Sequence, residues 1–308
     1  MTTAILFPGQ GSQSPGMQAD LAGRFPLVND VYAEASDVLG YDLWALVQSG
    51  PAEKLAETTV TQPAMLAAGV AAWRCWVEAG GDSGQLMSGH SLGEYSALVC
   101  ADAIDFADAM RVVKRRSELM QAAVPVGQGA MAAILGLDDD VVEAVCKEAG
   151  EGGVVEPVNY NSPGQVVVAG AADAVAAAVE LAKSRGARRA IVLPVSVPSH
   201  SSLMRGAGEA LSESLQAAAF RTPAVTVIGA ATAQPYSDAD DIRNTLSSQV
   251  YRPVRWTATI AALAAGGAET FVECGPGKVL AGLVRRIDKA LAVATVDGVD
   301  GLDKALAA

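Results

Sequence analysis

The order of strands and helices limits the folds open to this chain more than any other feature of its sequence. Within residues 129–195 the hydrophobic pattern switches between strand and helix periods in the order β-α-β-β-α-β. The strands are predicted at 130–135, 154–160, 165–169 and 190–195, and the helices at 138–149 and 173–185. This order is that of a ferredoxin-like module. The sequence therefore predicts a small ferredoxin-like subdomain over residues 128–197.

Strands and helices also alternate on both sides of this segment. Before it, strands are predicted at 4–7 and 86–89; after it, strands at 225–229, 269–274 and 291–296 alternate with helices at 241–250, 256–265 and 278–287. Such alternation is typical of a mostly parallel sheet covered by helices. We therefore expect one large α/β domain, formed by residues 1–127 and 198–308, into which the small subdomain is inserted.

Two helices of the first third of the chain are predicted from their start signals. Thr61 is a candidate N-cap, with Pro63 in the first turn, where proline is tolerated, and an apolar helix over 64–77 behind it. Asp105 is a candidate cap for the next helix. That helix carries three arginines, Arg111, Arg115 and Arg116.

Composition and charge exclude several classes of function. Hydrophobic residues make up 51% and charged residues 18% of the chain, which favours a folded protein. A net charge of −12 without a basic tract weighs against nucleic acid as a partner. No apolar run approaches the roughly 18 residues of a membrane span, and no basic residue precedes Arg24, so we expect a cytoplasmic protein. Nothing suggests an obligate oligomer, and we expect a monomer.

The cysteines and histidines form no metal-site pattern. The four cysteines are widely spaced, without a C-x-x-C pair, and the chain has two histidines. We therefore expect no metal site and four buried thiols, at Cys75, Cys100, Cys146 and Cys274.

The strongest local motif is Gly89-His90-Ser91-Leu92-Gly93, a G-x-S-x-G between a predicted strand and a predicted helix. Glycines let the backbone turn sharply there and expose the serine hydroxyl, as in a nucleophile elbow. The string alone also fits a packed Gly-Ser turn. Its place between strand and helix makes Ser91 the candidate nucleophile.

A serine hydroxyl needs a base, and histidine is the usual base near neutral pH. His90 is the immediate neighbour of Ser91, so its side chain is expected to point away from the hydroxyl. His200 lies on a loop after a predicted strand and is the better candidate, although a lone histidine is more often structural. An oxyanion hole would take one N–H from Leu92, at the start of the helix. The backbone N–H of Gln10 is the candidate for the second donor, although the segment around Gln10 also fits an ordinary glycine-rich turn.

Seven motifs, spread in order over nearly the whole chain, resemble those of malonyl-coenzyme A:acyl carrier protein transacylases of fatty-acid synthesis. They are F-P-G-Q-G-S-Q at 7–13, G-H-S-L-G-E at 89–94, R-x-x-x-M-Q at 116–121, N-S-P-G-Q at 161–165, V-P-S-H at 197–200, Q-V-Y-R-P-V-R-W at 249–256 and G-P-G-K-V-L at 275–280. The resemblance implies an α/β-hydrolase-like large domain with a ferredoxin-like insertion. It also implies transfer of malonyl groups from coenzyme A to an acyl carrier protein.

The resemblance implies a role for each matching residue. Ser91 would form the acyl ester, and the N–H groups of Gln10 and Leu92 would stabilise the oxyanion. His200 would be the base, oriented by the backbone carbonyl of Gln249 in place of a carboxylate. Ping-pong kinetics would follow, and no cofactor is expected, since the coenzyme A thioester is a substrate. Asn161 would support the loop around His200.

Specificity for malonate would rest on an arginine, whose planar fork can pair with the free carboxylate that acetate lacks. Helical spacing alone does not choose among Arg111, Arg115 and Arg116. The R-x-x-x-M-Q motif of the family selects Arg116. Because carrier proteins of this pathway are acidic, the basic helix near the C-terminal end is a candidate docking face, although a solvated surface helix fits as well. Its cations are Lys278, Arg285, Arg286 and Lys289.

Three other functions remain open at the level of sequence. A thioesterase or lipase would use the same elbow with water as acceptor, but its usual order of serine, acid and histidine and its H-G-G-G loop are not evident. An acyltransferase of polyketide synthesis would differ only in its carrier. A catalytically silent scaffold that binds carrier proteins is disfavoured because Ser91, His200, Gln10 and Arg116 are all present.

Overall fold

The computed structural model describes residues 2–195 and 197–307, which contain ten strands and fourteen α-helices. The strands are β1 (Thr2–Phe7), β2 (Leu86–Gly89), β3 (Gly129–Leu135), β4 (Val155–Ser162), β5 (Gln165–Ala171), β6 (Arg189–Val192), β7 (Thr226–Gly229), β8 (Gln234–Pro235), β9 (Ala268–Cys274) and β10 (Ala292–Val296). The first helices are α1 (Ala19–Arg24), α2 (Leu27–Leu39), α3 (Leu43–Ser49), α4 (Ala52–Ala56), α5 (Thr58–Glu78), α6 (Gly93–Cys100) and α7 (Phe106–Ala123). The others are α8 (Asp139–Ala149), α9 (Ala172–Ser184), α10 (Arg205–Ala217), α11 (Ala239–Gln249), α12 (Trp256–Ala265), α13 (Val279–Ile287) and α14 (Val299–Leu306).

The larger sheet has six strands in the order β10-β9-β1-β2-β7-β8. Its pairs are parallel except β7 with β8, a short antiparallel edge. β1 lies in the middle, and its residues 4–7 are fully buried because helices cover both faces of the sheet. A parallel strand buried on both faces needs a continuous apolar run, which Ala4-Ile5-Leu6-Phe7 supplies. The predicted mostly parallel α/β sheet is thus confirmed.

The smaller sheet has four strands in the order β4-β5-β3-β6, and all its pairs are antiparallel. Helices α8 and α9 pack on one face of it. Strands β3 to β6 and these two helices follow one another as β-α-β-β-α-β, the expected ferredoxin-like order. The opposite face carries Met131, Val158, Val167 and Ala169, and β4 contacts α12 and α13 of the larger layer. This second face therefore forms one wall of the space between the two sheets.

The start of α5 differs from the prediction. The helix begins at Thr58, with Glu57 as its N-cap, so Pro63 lies inside the helix instead of in its first turn. Thr61 does not cap the helix, because its hydroxyl donates to the carbonyl of Leu55. The carbonyl of Glu57 accepts from the N–H groups of Val60 and Thr61, which closes the first turn four residues earlier than expected.

Further elements differ from the sequence prediction, among them β6 and α10. β6 ends at Val192 instead of residue 195; Pro194 has no N–H to continue the ladder. The helix α10 was not predicted, although its buried residues Ala207, Leu211 and Leu215 recur every four positions. Within the described residues, no helix is long and apolar enough to cross a membrane.

Candidate active site

The motif around Ser91 forms a sharp turn between β2 and α6. Ser91 has φ of 53°, in the left-handed region that side chains other than glycine rarely adopt. Such a conformation costs about 1–3 kcal/mol and persists only where the surroundings enforce it. It turns the hydroxyl away from the helix axis and into the space between the two sheets.

The two glycines of the motif are required by close packing. A Cβ on Gly89 would lie 1.9 Å from the backbone carbon of Gly93, and a Cβ on Gly93 would lie 2.0 Å from the carbonyl oxygen of Phe7. Gly9 is equally close to the turn, since its Cβ would lie 2.5 Å from the carbonyl oxygen of His90. Glycine at these positions lets the loop after β1 press against the turn that carries Ser91.

Ser91 and His200, 109 residues apart, meet across the cavity. The hydroxyl oxygen of Ser91 lies 2.7 Å from Nε2 of His200, and Nδ1 of His200 lies 2.8 Å from the carbonyl oxygen of Gln249. Because a carbonyl can only accept, Nδ1 must carry the proton. Nε2 of the neutral ring is then the acceptor that faces the hydroxyl of Ser91.

The end of α11 holds the loop of His200. The ring bonds the carbonyl of Gln249, the last residue of the helix, and the backbone N–H of His200 donates to the carbonyl of Val250 at 3.0 Å. Carbonyls at a helix C-terminus have no partner within the helix and carry partial negative charge. The helix end thus fixes the orientation of the His200 ring.

Burial strongly favours the neutral form of His200, which is 4% exposed. Its pKa is lowered to about 3, first by burial of the ring and next by the guanidinium of Arg116. The hydrogen bond to the Gln249 carbonyl opposes this shift. His200 is therefore an unprotonated base at neutral pH.

The structure distinguishes Arg116 from the other cations of α7. Arg111 and Arg115 are 61% and 51% exposed and contact acids of their own helix, whereas Arg116 is 1% exposed. Nη2 of Arg116 lies 3.3 Å from the hydroxyl oxygen of Ser91. Arg116 is thus the one of these three arginines that lies beside the predicted nucleophile.

His90 and Asn161 form a separate pair. Nε2 of His90 lies 2.9 Å from Oδ1 of Asn161, and the His90 ring packs against Trp256 with ring centres 5.4 Å apart. His90 therefore points away from the hydroxyl of Ser91, as expected. The side chain of Asn161 bonds His90 and not the loop around His200, which differs from the expectation, because β4 places it beside the elbow.

A cavity of about 450 Å³ lies between the two sheets. Ser91, His200, Arg116 and Gln10 line its polar part. Its apolar wall comes from both layers and consists of Met120, Met131, Leu193, Val195 and Val197. A cleft with an apolar wall and a few convergent polar groups is the usual form of a small-molecule site.

The backbone N–H groups of Gln10 and Leu92 have no hydrogen-bond partner in the described part of the chain. Both residues line the cavity. Leu92 stands at the N-terminal end of α6, where N–H groups lie outside the helical ladder. The side chain of Gln10 reaches Thr58 at 3.4 Å.

One buried acid of the site was not assigned from sequence. Glu94, on α6 and fully buried, accepts hydrogen bonds from the side chains of Gln249 and Tyr236 and from the N–H of Ala230. The sequence signal for this acid is the glutamate that ends the motif G-H-S-L-G-E. A carboxylate three residues after the serine lies about one helical turn further on and on the same face of the helix.

The basic helix proposed for docking is α13 with its flanking residues. Lys278 lies 3.3 Å from Asp297, and Arg286 donates to Gln165 of the small subdomain at 2.5 Å. Arg285 and Lys289 are exposed. Arg286 therefore lies at the junction of the two layers, whereas Lys278 contacts the segment after β10.

Comparison with known proteins identifies the family. The family described as "Acyl transferase domain" matches residues 5–299. The malonyl CoA-acyl carrier protein transacylase of Escherichia coli K12 is 52% identical over 303 residues, covering 98% of each chain. A crystal structure of an acyl carrier protein S-malonyltransferase from Vibrio cholerae is 51% identical, covers 99% of this chain and 100% of its own, and superimposes with a TM-score of 0.96. A malonyl-transacylase solved with a type II PKS acyl-carrier protein is 51% identical, covers 100% and 99%, and has a TM-score of 0.98. The chain therefore belongs to the malonyl-CoA:acyl carrier protein transacylases and is an acyltransferase.

Proposed function

We propose that this enzyme transfers a malonyl group from malonyl-coenzyme A to the phosphopantetheine thiol of an acyl carrier protein and so supplies malonyl units for fatty-acid synthesis. The observation that carries this proposal is a buried arginine, Arg116, beside a serine that is hydrogen-bonded to a buried histidine. The names of relatives about half identical in sequence over nearly their full length support the same reaction.

The first half-reaction forms the acyl-enzyme. The hydroxyl oxygen of Ser91 attacks the thioester carbonyl while its proton passes to Nε2 of His200. The N–H groups of Gln10 and Leu92 donate to the oxyanion of the tetrahedral intermediate. The carbon–sulfur bond then breaks, and the leaving sulfur of coenzyme A takes the proton from His200, so that the malonyl ester of Ser91 and free coenzyme A result.

The second half-reaction runs the same steps with another thiol. His200 takes the proton of the phosphopantetheine thiol, the sulfur attacks the ester carbonyl, and the oxygen of Ser91 leaves with the proton from His200. The imidazolium exists only during each step, when the C-terminal carbonyls of α11 favour it. Ping-pong kinetics follow, because coenzyme A leaves before the carrier enters.

Arg116 pairs with the free carboxylate of the malonyl group. Its guanidinium contacts neutral oxygens of Gln62, Gln249 and Ser91. A carboxylate is a stronger acceptor than any of these, since both partners of that hydrogen bond are charged. The pairing places the thioester carbon beside the hydroxyl of Ser91 and favours malonyl over acyl groups that lack a free carboxylate.

The lowered pKa of His200 predicts an unusual pH profile. Acylation needs the neutral ring, so we expect kcat/KM to stay nearly constant from pH 8 down to about 5, without the fall near 6.5 that an ordinary histidine gives. Replacing Arg116 by methionine removes a positive neighbour and raises the pKa of His200, which moves the acid limb to higher pH. Acylation rates after short pH jumps measure both profiles; a wild-type inflection near 6.5 would contradict the role of burial.

The proposed reaction is tested by intact-protein mass spectrometry of both half-reactions. We expect the wild-type enzyme to gain one malonyl group from malonyl-coenzyme A and to lose it on addition of a holo carrier protein. A carrier without the phosphopantetheine arm is the matched control and should leave the adduct in place. An adduct lost equally fast without any thiol acceptor would indicate a hydrolase instead.

We propose further that the carrier docks on the surface of Lys278, Arg285, Arg286 and Lys289, by charge complementarity with an acidic partner. Arg285→Glu together with Arg286→Glu is expected to raise the KM for the carrier at least tenfold at low ionic strength, and less at high salt. The half-reaction with coenzyme A should change less than twofold. Lys183→Glu with Arg185→Glu, at the end of α9 on the outer side of the small sheet, carries the same change of charge and serves as control. Equal effects of both pairs would exclude this surface.

A further inference from the structure

The buried charge of Arg116 is stabilised by neutral oxygen atoms instead of a direct ion pair. The side chain is 1% exposed, yet its hydrogen-bond acceptors are the neutral oxygens of Gln62, Gln249 and Ser91. Across the described residues, no carboxylate lies within ion-pair distance of Arg116. A guanidinium in such a place depends on oxygen atoms being turned towards it, because any donor facing it would leave a buried charge unpaired.

The amide of Gln249 is one of these acceptors, and its direction matters. Its Oε1 lies 3.0 Å from Nη2 of Arg116, while its Nε2 donates to Oε2 of Glu94 at 2.9 Å and to the backbone carbonyl of Ser91 at 3.0 Å. If the amide were turned by 180°, its NH₂ group would face the guanidinium and its oxygen would face a carboxylate. Both contacts would be repulsive, so Glu94 determines which end of Gln249 faces Arg116.

Glu94 is itself held in a single position. Its Oε1 accepts from the hydroxyl of Tyr236, and its Oε2 accepts from the N–H of Ala230 at 3.2 Å as well as from Gln249. The carboxylate is fully buried and lies outside the cavity lining. It therefore has no contact with a substrate in the cavity, and its hydrogen bond to Gln249 links it to Arg116.

We propose that Glu94 is a positioning residue for malonyl specificity: through the side-chain amide of Gln249 it holds the guanidinium of Arg116 beside Ser91 with its donors available to the malonyl carboxylate. This inference rests on the proposed function, since it assigns a support to the residue that binds the carboxylate. The amide between the two charges is essential to it. A carboxylate in direct contact with Arg116 would occupy the same donors and compete with the substrate, whereas an amide oxygen yields to a carboxylate.

A purely structural role for Glu94, joining α6 to the end of β7, is the competing explanation. Such a role predicts equal losses for all acyl donors when Glu94 is changed. The positioning role predicts a selective loss, because an acetyl group makes no use of Arg116. Acylation of Ser91 by malonyl- and acetyl-coenzyme A, measured in parallel, separates the two.

The decisive variants are Glu94→Met, which keeps the length of the side chain without an oxygen, and Glu94→Gln. In Glu94→Met we expect the malonyl rate to fall at least tenfold and the acetyl rate less than threefold. In Glu94→Gln the N–H of Ala230 still requires an oxygen at the Oε2 position, and that oxygen still accepts from Gln249. We therefore expect the ratio of malonyl to acetyl rates to return to within about threefold of wild type. Tyr236→Phe, which leaves the bond between Glu94 and Gln249 in place, is the control for a loosened cluster.

A double-mutant cycle tests the route through Arg116. If Glu94 acts by holding Arg116, adding Glu94→Met to Arg116→Met should change the malonyl rate less than twofold. Should Glu94→Met fail to fold, Glu94→Ala enters the same cycle, and the Glu94→Gln ratio is measured in either case. Equal losses of malonyl and acetyl rates, losses that multiply in the cycle, or a Glu94→Gln ratio as low as that of Glu94→Met would overturn the proposal. A wild-type enzyme that forms no malonyl adduct would instead overturn the proposed function.

Discussion

The variant Ser91→Ala is expected to gain no malonyl group from malonyl-coenzyme A and to transfer malonyl groups at least about 10³-fold more slowly than wild type, since the nucleophile of a serine enzyme contributes this much or more. Alanine and serine have similar backbone preferences, so the turn at φ of 53° and the surrounding packing should persist. Intact-protein mass gives the adduct, and a coupled thiol assay gives the turnover.

A second serine of the same cavity provides the control for this experiment. Ser199 also lines the cavity, but its hydroxyl oxygen lies 3.5 Å from the carbonyl of Val197, at the limit of a hydrogen bond. Ser199→Ala should acylate within a few-fold of wild type. A malonyl adduct that persists in Ser91→Ala would show that another group is the nucleophile.

The variant Arg116→Met is expected to lose the preference for malonyl over acetyl groups. Leaving the carboxylate of a bound malonyl group without its buried partner costs about 3–5 kcal/mol, which corresponds to a fall of roughly 10²–10⁴-fold in the malonyl rate. The acetyl rate should change only a few-fold, since an acetyl group carries no charge into the cavity. Acylation rates with both coenzyme A thioesters, compared as a ratio, measure this loss.

The neighbouring Arg115 is the matched control for Arg116. It lies on the same helix, is 51% exposed and is 3.6 Å from Glu118, so exchanging it for methionine removes the same charge from the surface. Arg115→Met should keep the wild-type ratio of malonyl to acetyl rates. If both rates fell equally in Arg116→Met, its part in substrate recognition would be refuted and a role in folding alone would remain.

Much of the fold could be predicted from the sequence, because the hydrophobic period indicates each strand or helix and the order of these elements indicates the topology. The apolar run 4–7 of β1 and the β-α-β-β-α-β order of the small subdomain are local patterns, and both correspond to observed elements. The start of α5 could not be predicted correctly, because a threonine two residues before a proline is a good cap signal, while the hydroxyl of Thr61 donates instead to the carbonyl of Leu55, six residues earlier.

The site could be predicted in part for a related reason. Ser91 is marked by its glycines, and the motifs shared with the family led to His200, Arg116 and Gln249. The spacing of residues on α7 does not choose among its three arginines, whereas their burial in the structure does. The side-chain contacts of Asn161 and Glu94 were not predictable, because each joins elements far apart in sequence.

The central position of β1 has a consequence for the synthesis of this enzyme. Residues 2–7 are made long before β9, one of their two neighbours in the sheet, which the ribosome completes only at residue 274. Until then one edge of β1 has no partner, and such edges invite aggregation. We therefore expect nascent chains that end before residue 274 to need chaperone protection.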